Sequence, residues 1–290
     1  MKYYIIMNPG SQGGMSLRRF DMIHRLLGQS NVEYDYAITQ SLDHAYELSV
    51  KANQSGYDVV VAIGGDGTIN RVINGFYDAD GTRNSRAKFG VIYTGTSPDF
   101  CKSYHIPLET DKAVQILIKG YTMQIGIGRV EFQDEVRYFA CCANIGLGAT
   151  LARYANSGIR KIFGDTVGTF LSLLKTLAVF KPINIKVNGQ EVNHVYNISV
   201  GKTFYIASGL KIKNDLMNSD SRFYILTVQG NIRRLMINMY FGNKLELDYA
   251  TEILVEGAGE VEFDGDEGGK LPCKINAADN LELICEESYE

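Results

Sequence analysis

The apolar run Val59-Val60-Val61-Ala62-Ile63 leads directly into Gly64-Gly65-Asp66-Gly67-Thr68. Five consecutive apolar residues, four of them β-branched, predict a strand buried on both faces, as in parallel sheets covered by helices. Glycines in the turn let backbone N–H groups approach a phosphate. The carboxylate of Asp66 is suited to a magnesium ion that bridges phosphates. The following stretch, Ile69-Asn70-Arg71-Val72-Ile73-Asn74-Gly75-Phe76, predicts a helix whose N-terminus faces the same spot. Strand, glycine turn and helix together point to a nucleotide-phosphate site.

The surrounding pattern extends this unit. Strands are expected over 2–7, 32–38, 57–63 and 88–93, with helices over 15–28 and near 42–54; Met15, Phe20, Ile23, Leu26 and Leu27 recur at helical spacing in the first. The βαβαβαβ order implies an α/β domain with a mostly parallel sheet. Ligands of such sheets bind beyond the carboxyl ends of the strands. That selects the loops Asn8 to Gly14, Thr39, Gly64 to Asn70 and Thr94 to Asp99. From about Tyr121 the pattern changes to strands over 122–132, 136–144, 183–188, 192–200, 222–228, 245–248 and 250–256. Turn signals such as Asn188-Gly189 separate some of them. Helical stretches fall near 148–156 and over 165–180, where Val167, Phe170, Leu171, Leu174 and Leu177 share a face. The expected organisation is an α/β domain over 1–121 and a β-rich, mainly antiparallel domain over 122–280. For the tail, 281–290, a return to the first domain is left open.

Composition narrows the partners. The 290 residues carry 29 basic and 33 acidic side chains, a net charge of −4, so no basic field recommends a nucleic acid. Met1 to Met7 stops at Asn8-Pro9-Gly10, too short for a signal segment, and no apolar run approaches a membrane span. Five cysteines without a CxxC pair suggest reduced thiols and a cytoplasmic setting. His24, His44, His105 and His194 are scattered, without zinc-ligand spacing.

Three further motifs carry polar groups. Asn8-Pro9-Gly10-Ser11-Gln12-Gly13-Gly14 offers backbone donors and a hydroxyl, yet lacks the Gly-Lys-Ser/Thr of a Walker A loop. It reads either as an anion-binding loop or as a plain turn. Gly95-Thr96-Ser97-Pro98-Asp99-Phe100 offers a carboxylate at a helix start, where Ser97 or Asp99 suits capping as well as function. Asp264-Gly265-Asp266-Glu267 follows the strand Val261-Glu262-Phe263 and reads as a solvated turn or as the site of a general base.

The ordered set Asn8-Pro9-x-Ser11, Gly64-Gly65-Asp66-Gly67-Thr68, Gly95-Thr96-x-x-Asp99-Phe100 and Asp264-Gly265-Asp266 resembles the diacylglycerol kinase catalytic-domain family, which is related to sphingosine kinases. Weaker echoes are Asn144-x-Gly146-x-Gly148, Ser208-Gly209-Leu210 and Asp220. The resemblance implies an α/β nucleotide-binding domain and a C-terminal β-sandwich with the site in the cleft between them, and ATP and Mg2+ as cofactors. ATP would contact Asn8, Pro9, Gly10, Ser11, Gln12, Thr39, Gly64, Gly65, Asp66, Gly67, Thr68, Ile69, Asn70, Arg71 and Thr96. Asp66 and Asp99 would lie near the catalytic magnesium. The base position falls on Asp266, with Glu267 beside it. A structural magnesium, held largely by backbone carbonyls, would centre on Asp220 with Met217 and Arg222.

Several positions depart from the family pattern. Pro98 stands where Asn is usual, Arg71 where Glu is, Gly126 where Asp is, and Ser221 where Gly is; Asp266 is one methylene shorter than the usual Glu. The leading expectation is an ATP-dependent lipid kinase acting on a diacylglycerol-like or sphingoid hydroxyl at a membrane surface. Arg160, Lys161, Lys175 and Lys181 around one apolar stretch, and Arg233-Arg234-Leu235-Met236-Ile237 with Met239-Tyr240-Phe241 in another, suit an interfacial helix or a buried face. An exposed sheet edge in the second domain would support a homodimer. The alternatives are a catalytically impaired nucleotide- or lipid-binding relative, and a small-molecule kinase of the NAD-kinase kind.

Overall fold

The computed structural model describes all residues except 31, 155–179, 207–208, 230–245 and 288–290. Side chains at 12, 13, 15, 151–154, 210, 266 and 267 also lie outside the description. The helix expected over 165–180 and the basic-apolar stretch at 233–241 therefore fall outside the described residues, as do Arg160, Lys161, Lys175 and Ser208. Two compact units are formed. The first comprises Met1–Ile127, Tyr205–Leu210 and Ala278–Glu290; the second comprises Gly128–Phe204 and Lys211–Ala277.

The first unit begins with β1 (Lys2–Met7), a 3-10 turn over Ser11–Gly14, α1 (Met15–Gln29), β2 (Glu33–Ile38), α2 (Leu42–Gln54) and β3 (Val59–Gly64). It continues with α3 (Asp66–Asn74), β4 (Lys88–Tyr93), α4 (Asp99–Ser103), α5 (Thr110–Lys119) and β5 (Thr122–Ile125). Every residue of β3 is buried, as its β-branched run requires. Ser41 caps α2 by accepting the His44 N–H at 3.0 Å, with Asp43 in the first turn and Lys51 in the last. The pairs β1–β2, β1–β3 and β3–β4 are all parallel.

The second unit opens with β6 (Gly128–Glu131), β7 (Val136–Phe139), β8 (Cys142–Gly146), α6 (Leu147–Tyr154), β9 (Ile183–Val187) and β10 (Gln190–Gly201). Short strands β11 (Tyr205–Ile206) and β12 (Leu210–Lys211) pair with each other. Then come β13 (Phe223–Gln229), β14 (Asp248–Ala250), β15 (Glu252–Gly257), β16 (Glu260–Phe263), β17 (Asp266–Lys270) and β18 (Cys273–Ala277). The last strand, β19 (Leu281–Ile284), lies in the first unit's sheet, whose order is β2-β1-β3-β4-β19-β5.

The second unit's 11 strands form one continuously hydrogen-bonded sheet with the path β17-β16-β8-β10-β9-β15-β18-β6-β7, while β13 joins β10 and β14 joins β13. Its pairings are antiparallel. Val130, Phe139, Ile145, Val195, Phe223, Ile253, Phe263 and Ile275 meet in one core. The sheet is thus nearly barrel-like, its sandwich layers joined rather than separate. Asn188 and Gly189, with φ of 50° and 80°, make the two-residue turn between β9 and β10.

Three local expectations change. The strand expected over 122–132 is two strands in different sheets: β5 pairs with β19, and β6 pairs with β7 and β18. The strand expected over 136–144 is β7 and β8, interrupted at Ala140 and Cys141. Helix α3 starts at Asp66, so the carboxylate and hydroxyl of the glycine turn belong to the helix's first turn.

All five cysteines are free and buried. Burial pushes the Cys273 thiol up to about 12 and also raises Cys101 and Cys285. The native protein is expected to react with a thiol-titrating disulfide reagent at least about a hundredfold more slowly than the unfolded chain, which would then show five equivalents. Fast reaction of native thiols would contradict the packing.

Candidate functional site

In the first unit, the loops that follow β1, β3 and β4 are fastened to each other at the carboxyl ends of their strands. Asn8 donates from Nδ2 to Thr68 Oγ1 at 2.9 Å, while its Oδ1 accepts the Gly10 N–H at 2.9 Å. Its own N–H bonds the Ile63 carbonyl at 2.9 Å. Ser16 closes the turn from behind by donating to the carbonyls of Asn8 and Pro9 at 2.8 and 2.9 Å. Ser11 donates to the Thr94 carbonyl at 2.6 Å, and the Thr94 N–H donates to the Gly64 carbonyl at 2.9 Å. Thr39 is buried after β2, its N–H on the Met7 carbonyl at 2.8 Å.

Two glycines allow this closeness. A Cβ on Gly95 would lie 2.5 Å from the Gly65 Cα and 2.6 Å from the Tyr93 hydroxyl. A Cβ on Gly64 would lie 2.4 Å from the Thr68 side chain. Real Cβ atoms do not approach other atoms this closely, so Gly95 lets the loops after β3 and β4 touch, and Gly64 leaves room for Thr68 in the first turn of α3.

Asp66 is the first residue of α3, after the N-cap Gly65. The helix N-terminus therefore presents open N–H groups beside Gly67 and Thr68. Tyr93, at the end of β4, donates its hydroxyl to Asp66 Oδ2 at 3.3 Å and accepts the Ser97 N–H at 2.8 Å. One phenol thus ties the Asp66 carboxylate to the loop after β4. Burial, and then the Asp66 charge, hold the Tyr93 phenol far above its ordinary pKa. Asp99 is buried at the first position of α4, whose N-cap is Pro98, so neither Ser97 nor Asp99 takes the N-cap place. Thr96 is exposed between them.

Farther along α3, other contacts are made. Ile69 is buried, and Asn70 accepts the Asn74 side-chain amide at its carbonyl and Oδ1 at 2.8 and 3.2 Å. Arg71 lies 3.6 Å from the Asp43 carboxylate of α2.

In the second unit, Asp264 and Gly265, with φ of 50° and 88°, form the tight turn between β16 and β17. Asp264 is committed to structure. Its carboxylate accepts the N–H groups of Ala140, Cys141 and Cys142 at 3.0, 3.0 and 2.9 Å. Glu262, buried in β16, accepts the Asn144 amide at 2.8 Å and the Gly265 N–H. Asn144 in turn accepts from Asn197 at 3.3 Å and from Ser199 at 2.5 Å. Asp266 and Glu267 open β17 opposite Phe263 and Glu262 respectively; their side chains lie outside the description.

Asp220 and Arg222 are bound to each other. The guanidinium donates to the carboxylate from Nε at 3.1 and 3.2 Å and from its terminal nitrogen at 2.7 Å. That contact, first among several, holds the Asp220 carboxyl below its usual range. Lys202, buried just after β10, donates from Nζ to the carbonyls of Asp220 and Arg222 at 2.6 and 3.2 Å. Burial lowers its pKa to about 8 against the pull of Asp220, which leaves it mainly protonated at neutral pH. Met217 is exposed, and its carbonyl accepts the Asp220 N–H at 3.0 Å.

Residues 2–130 match the family model described as the diacylglycerol kinase catalytic domain. Over that stretch the chain resembles the diacylglycerol kinase catalytic-domain family. The whole chain is similar to enzymes of that name. A diacylglycerol kinase of Staphylococcus carnosus (strain TM300) is 27% identical over 296 residues, covering 96% of this chain and 93% of the relative. One of Staphylococcus aureus (strain JH9) is 27% identical over 293 residues, covering 93% and 88%. A crystal structure of a diacylglycerol kinase from Bacillus anthracis str. Sterne shares the fold, with a TM-score of 0.77 at 20% identity over 99% of this chain and 97% of that one. The family resemblance and the two-part fold class drawn from the motifs are both borne out.

The first unit's donor set suits a nucleotide accompanied by magnesium. Two carboxylates, Asp66 and Asp99, open helices that follow adjacent strands, and Gly95 keeps the loops after those strands in contact. The second unit's Asp220 region does not suit a divalent cation, because Lys202 and Arg222 already occupy its carbonyls and carboxylate. Among the described residues, no cluster of three or more His, Cys, Asp or Glu side chains could hold a metal, and no helix is long and apolar enough to cross a membrane.

The sequence reading missed Tyr93 and Lys202. Tyr93 carried a signal, as a polar-tipped residue ending a strand beside the glycine loops. Arg19 of α1 was missed too; it donates to the Tyr93 carbonyl at 3.3 Å and so brings a cation to the same strand end.

Proposed function

We propose that this protein is an ATP-dependent lipid kinase that transfers the γ-phosphate to the hydroxyl of a diacylglycerol-like or sphingoid lipid. The observation that supports it is the three-loop cradle built by Asn8, Ser11, Thr68, Gly65, Gly95 and Tyr93 around Asp66, in a stretch that resembles the diacylglycerol kinase family. Backbone N–H groups at the start of α3 and along the Asn8–Gln12 turn face the phosphates, with Thr39 and Thr96 at the nucleotide's edge. Asp66 and Asp99 would hold a magnesium ion, which would neutralise phosphate charge when bound. Asp266, or its neighbour Glu267, accepts the proton of the lipid hydroxyl as that oxygen bonds to the γ-phosphorus and the bond to the β-γ bridging oxygen breaks, releasing ADP. The acceptor is met at a membrane surface.

Radiolabelled ATP incubated with total lipid extract, and separately with NAD, tests this reading beside an Asp66→Ala variant. Label in an extractable lipid, lost in the variant, supports it. Label in NADP alone overturns it, and ATP binding without turnover across a lipid panel favours an impaired nucleotide-binding relative. A companion result concerns the cradle. Gly95→Ala pushes the Gly65 backbone and the Tyr93 hydroxyl apart, so affinity for ATP is expected to fall at least about tenfold, measured by calorimetry. Unchanged affinity would remove the glycine contact from the nucleotide site.

A further inference from the structure

The segment Met217–Arg222 is where the family resemblance implies a structural magnesium ion bound by backbone carbonyls. In this chain a side chain already does that work. The Lys202 ammonium reaches the carbonyl oxygens of Asp220 and Arg222 at 2.6 and 3.2 Å, and lies 4.2 Å from the centre of the Phe223 ring. Carbonyl oxygens and an aromatic face are what a desolvated cation needs in place of water. The nearby carboxylate, Asp220, takes its own cation from Arg222 through the guanidinium and also accepts the Arg222 N–H at 2.8 Å. A divalent ion brought to the same carbonyls would meet an ammonium at contact distance and find the carboxylate turned to Arg222. Lys202 itself is only 7% exposed, so it cannot swing into water without unpacking its surroundings.

We infer that Lys202 replaces the structural divalent cation in this chain, and that the Met217–Arg222 loop is assembled by an internal ammonium and needs no metal. Any metal requirement of the protein then belongs to the nucleotide alone.

The test is thermal unfolding of nucleotide-free protein in EDTA, in millimolar MgCl2 or CaCl2, and in NaCl of matched ionic strength, for the wild type, Lys202→Met and Lys202→Arg. The wild-type midpoint is expected to be the same in all buffers. Lys202→Met takes the ammonium donor away from the two carbonyls. Its midpoint is expected to fall by about 5–10 °C and to recover in part with Mg2+ or Ca2+. Lys202→Arg, which keeps a cation, should lose less and stay indifferent to metal. A saturable rise of the wild-type midpoint with Mg2+ or Ca2+, absent with NaCl, overturns the inference. So does a Lys202→Met protein as stable as the wild type. If Lys202→Met yields no folded protein, the wild-type titration decides alone, indifference supporting the inference and saturable stabilisation overturning it.

Discussion

Asp66→Asn is expected to lower lipid phosphorylation about a thousandfold in kcat/KM while leaving the fold intact. The substitution keeps the side chain's volume and an oxygen for the Tyr93 hydroxyl, which donates to Asp66 Oδ2. It removes one negative charge at the start of α3, worth about 0.3–1 kcal/mol to the helix. That is small for a protein of this size. On the proposed reading the same charge is worth far more to the reaction, because it would hold the magnesium that neutralises the transferring phosphate, and losing one preorganised electrostatic contribution costs about 100- to 1000-fold. Labelled-ATP kinetics read the loss, and thermal unfolding of the same preparation reads the fold. A variant within tenfold of the wild type would take Asp66 out of the machinery.

Asp264→Ala should instead unfold the second unit more easily, by about 3–5 kcal/mol in urea titration. The carboxylate accepts three backbone N–H groups, from Ala140, Cys141 and Cys142, all of them buried residues. Hydrogen bonds to a charged acceptor contribute about 1.5–3 kcal/mol each, and the three are not independent. Alanine is also poorly suited to the left-handed backbone at this position, where φ is 50°. Asp264→Asn, which keeps one acceptor oxygen, should lose less. Removing the Arg71–Asp43 pair provides the contrast: Asp43's side chain is 80% exposed, and such pairs contribute at most about 1 kcal/mol. A loss below about 1 kcal/mol for Asp264→Ala would mean that water replaces the carboxylate at the turn.

How much of this could be read from the sequence depends on the range of the interactions involved. Strands β1, β3 and β4 were legible because each is a largely apolar run ending in a polar or glycine-rich loop, and β2 because Tyr34, Tyr36 and Ile38 alternate with other residues, which is local information. The Asn188-Gly189 turn was legible because only such pairs adopt two successive positive φ angles at little cost. The segment 122–132 misled because its apolar alternation runs on through Ile125-Gly126-Ile127-Gly128. Periodicity cannot show that the chain leaves one sheet there and joins another. The start of α3 was read late because glycine at 67 suggests a turn, whereas Asp66 and Thr68 suit a helix's first turn.

The site divides along the same line. The glycine loops announced themselves, since backbone approach to an anion demands a residue type. Tyr93, Asp264 and Lys202 did not, because each acts on backbone or carboxylate groups supplied by other segments. Asp264 looked like one acid among three, and only the β7–β8 connection, far earlier in the chain, shows what it holds. Nothing beside Lys202 in the sequence announces the Asp220 and Arg222 carbonyls that it meets.

The place of β19 bears on how the chain is made. Leu281–Ile284 lies between β4 and β5, parallel to the first and antiparallel to the second, with Leu281, Leu283 and Ile284 buried. Its partners β4 and β5 leave the ribosome before the second unit's residues, and the strand itself leaves after them. Until Leu281–Ile284 has emerged, the nascent chain therefore exposes the flank of β4, an unpaired apolar edge of the kind that invites wrong pairing. The first unit cannot close its sheet before that point. A chain truncated just before Leu281 would carry the second unit complete and the first one still open.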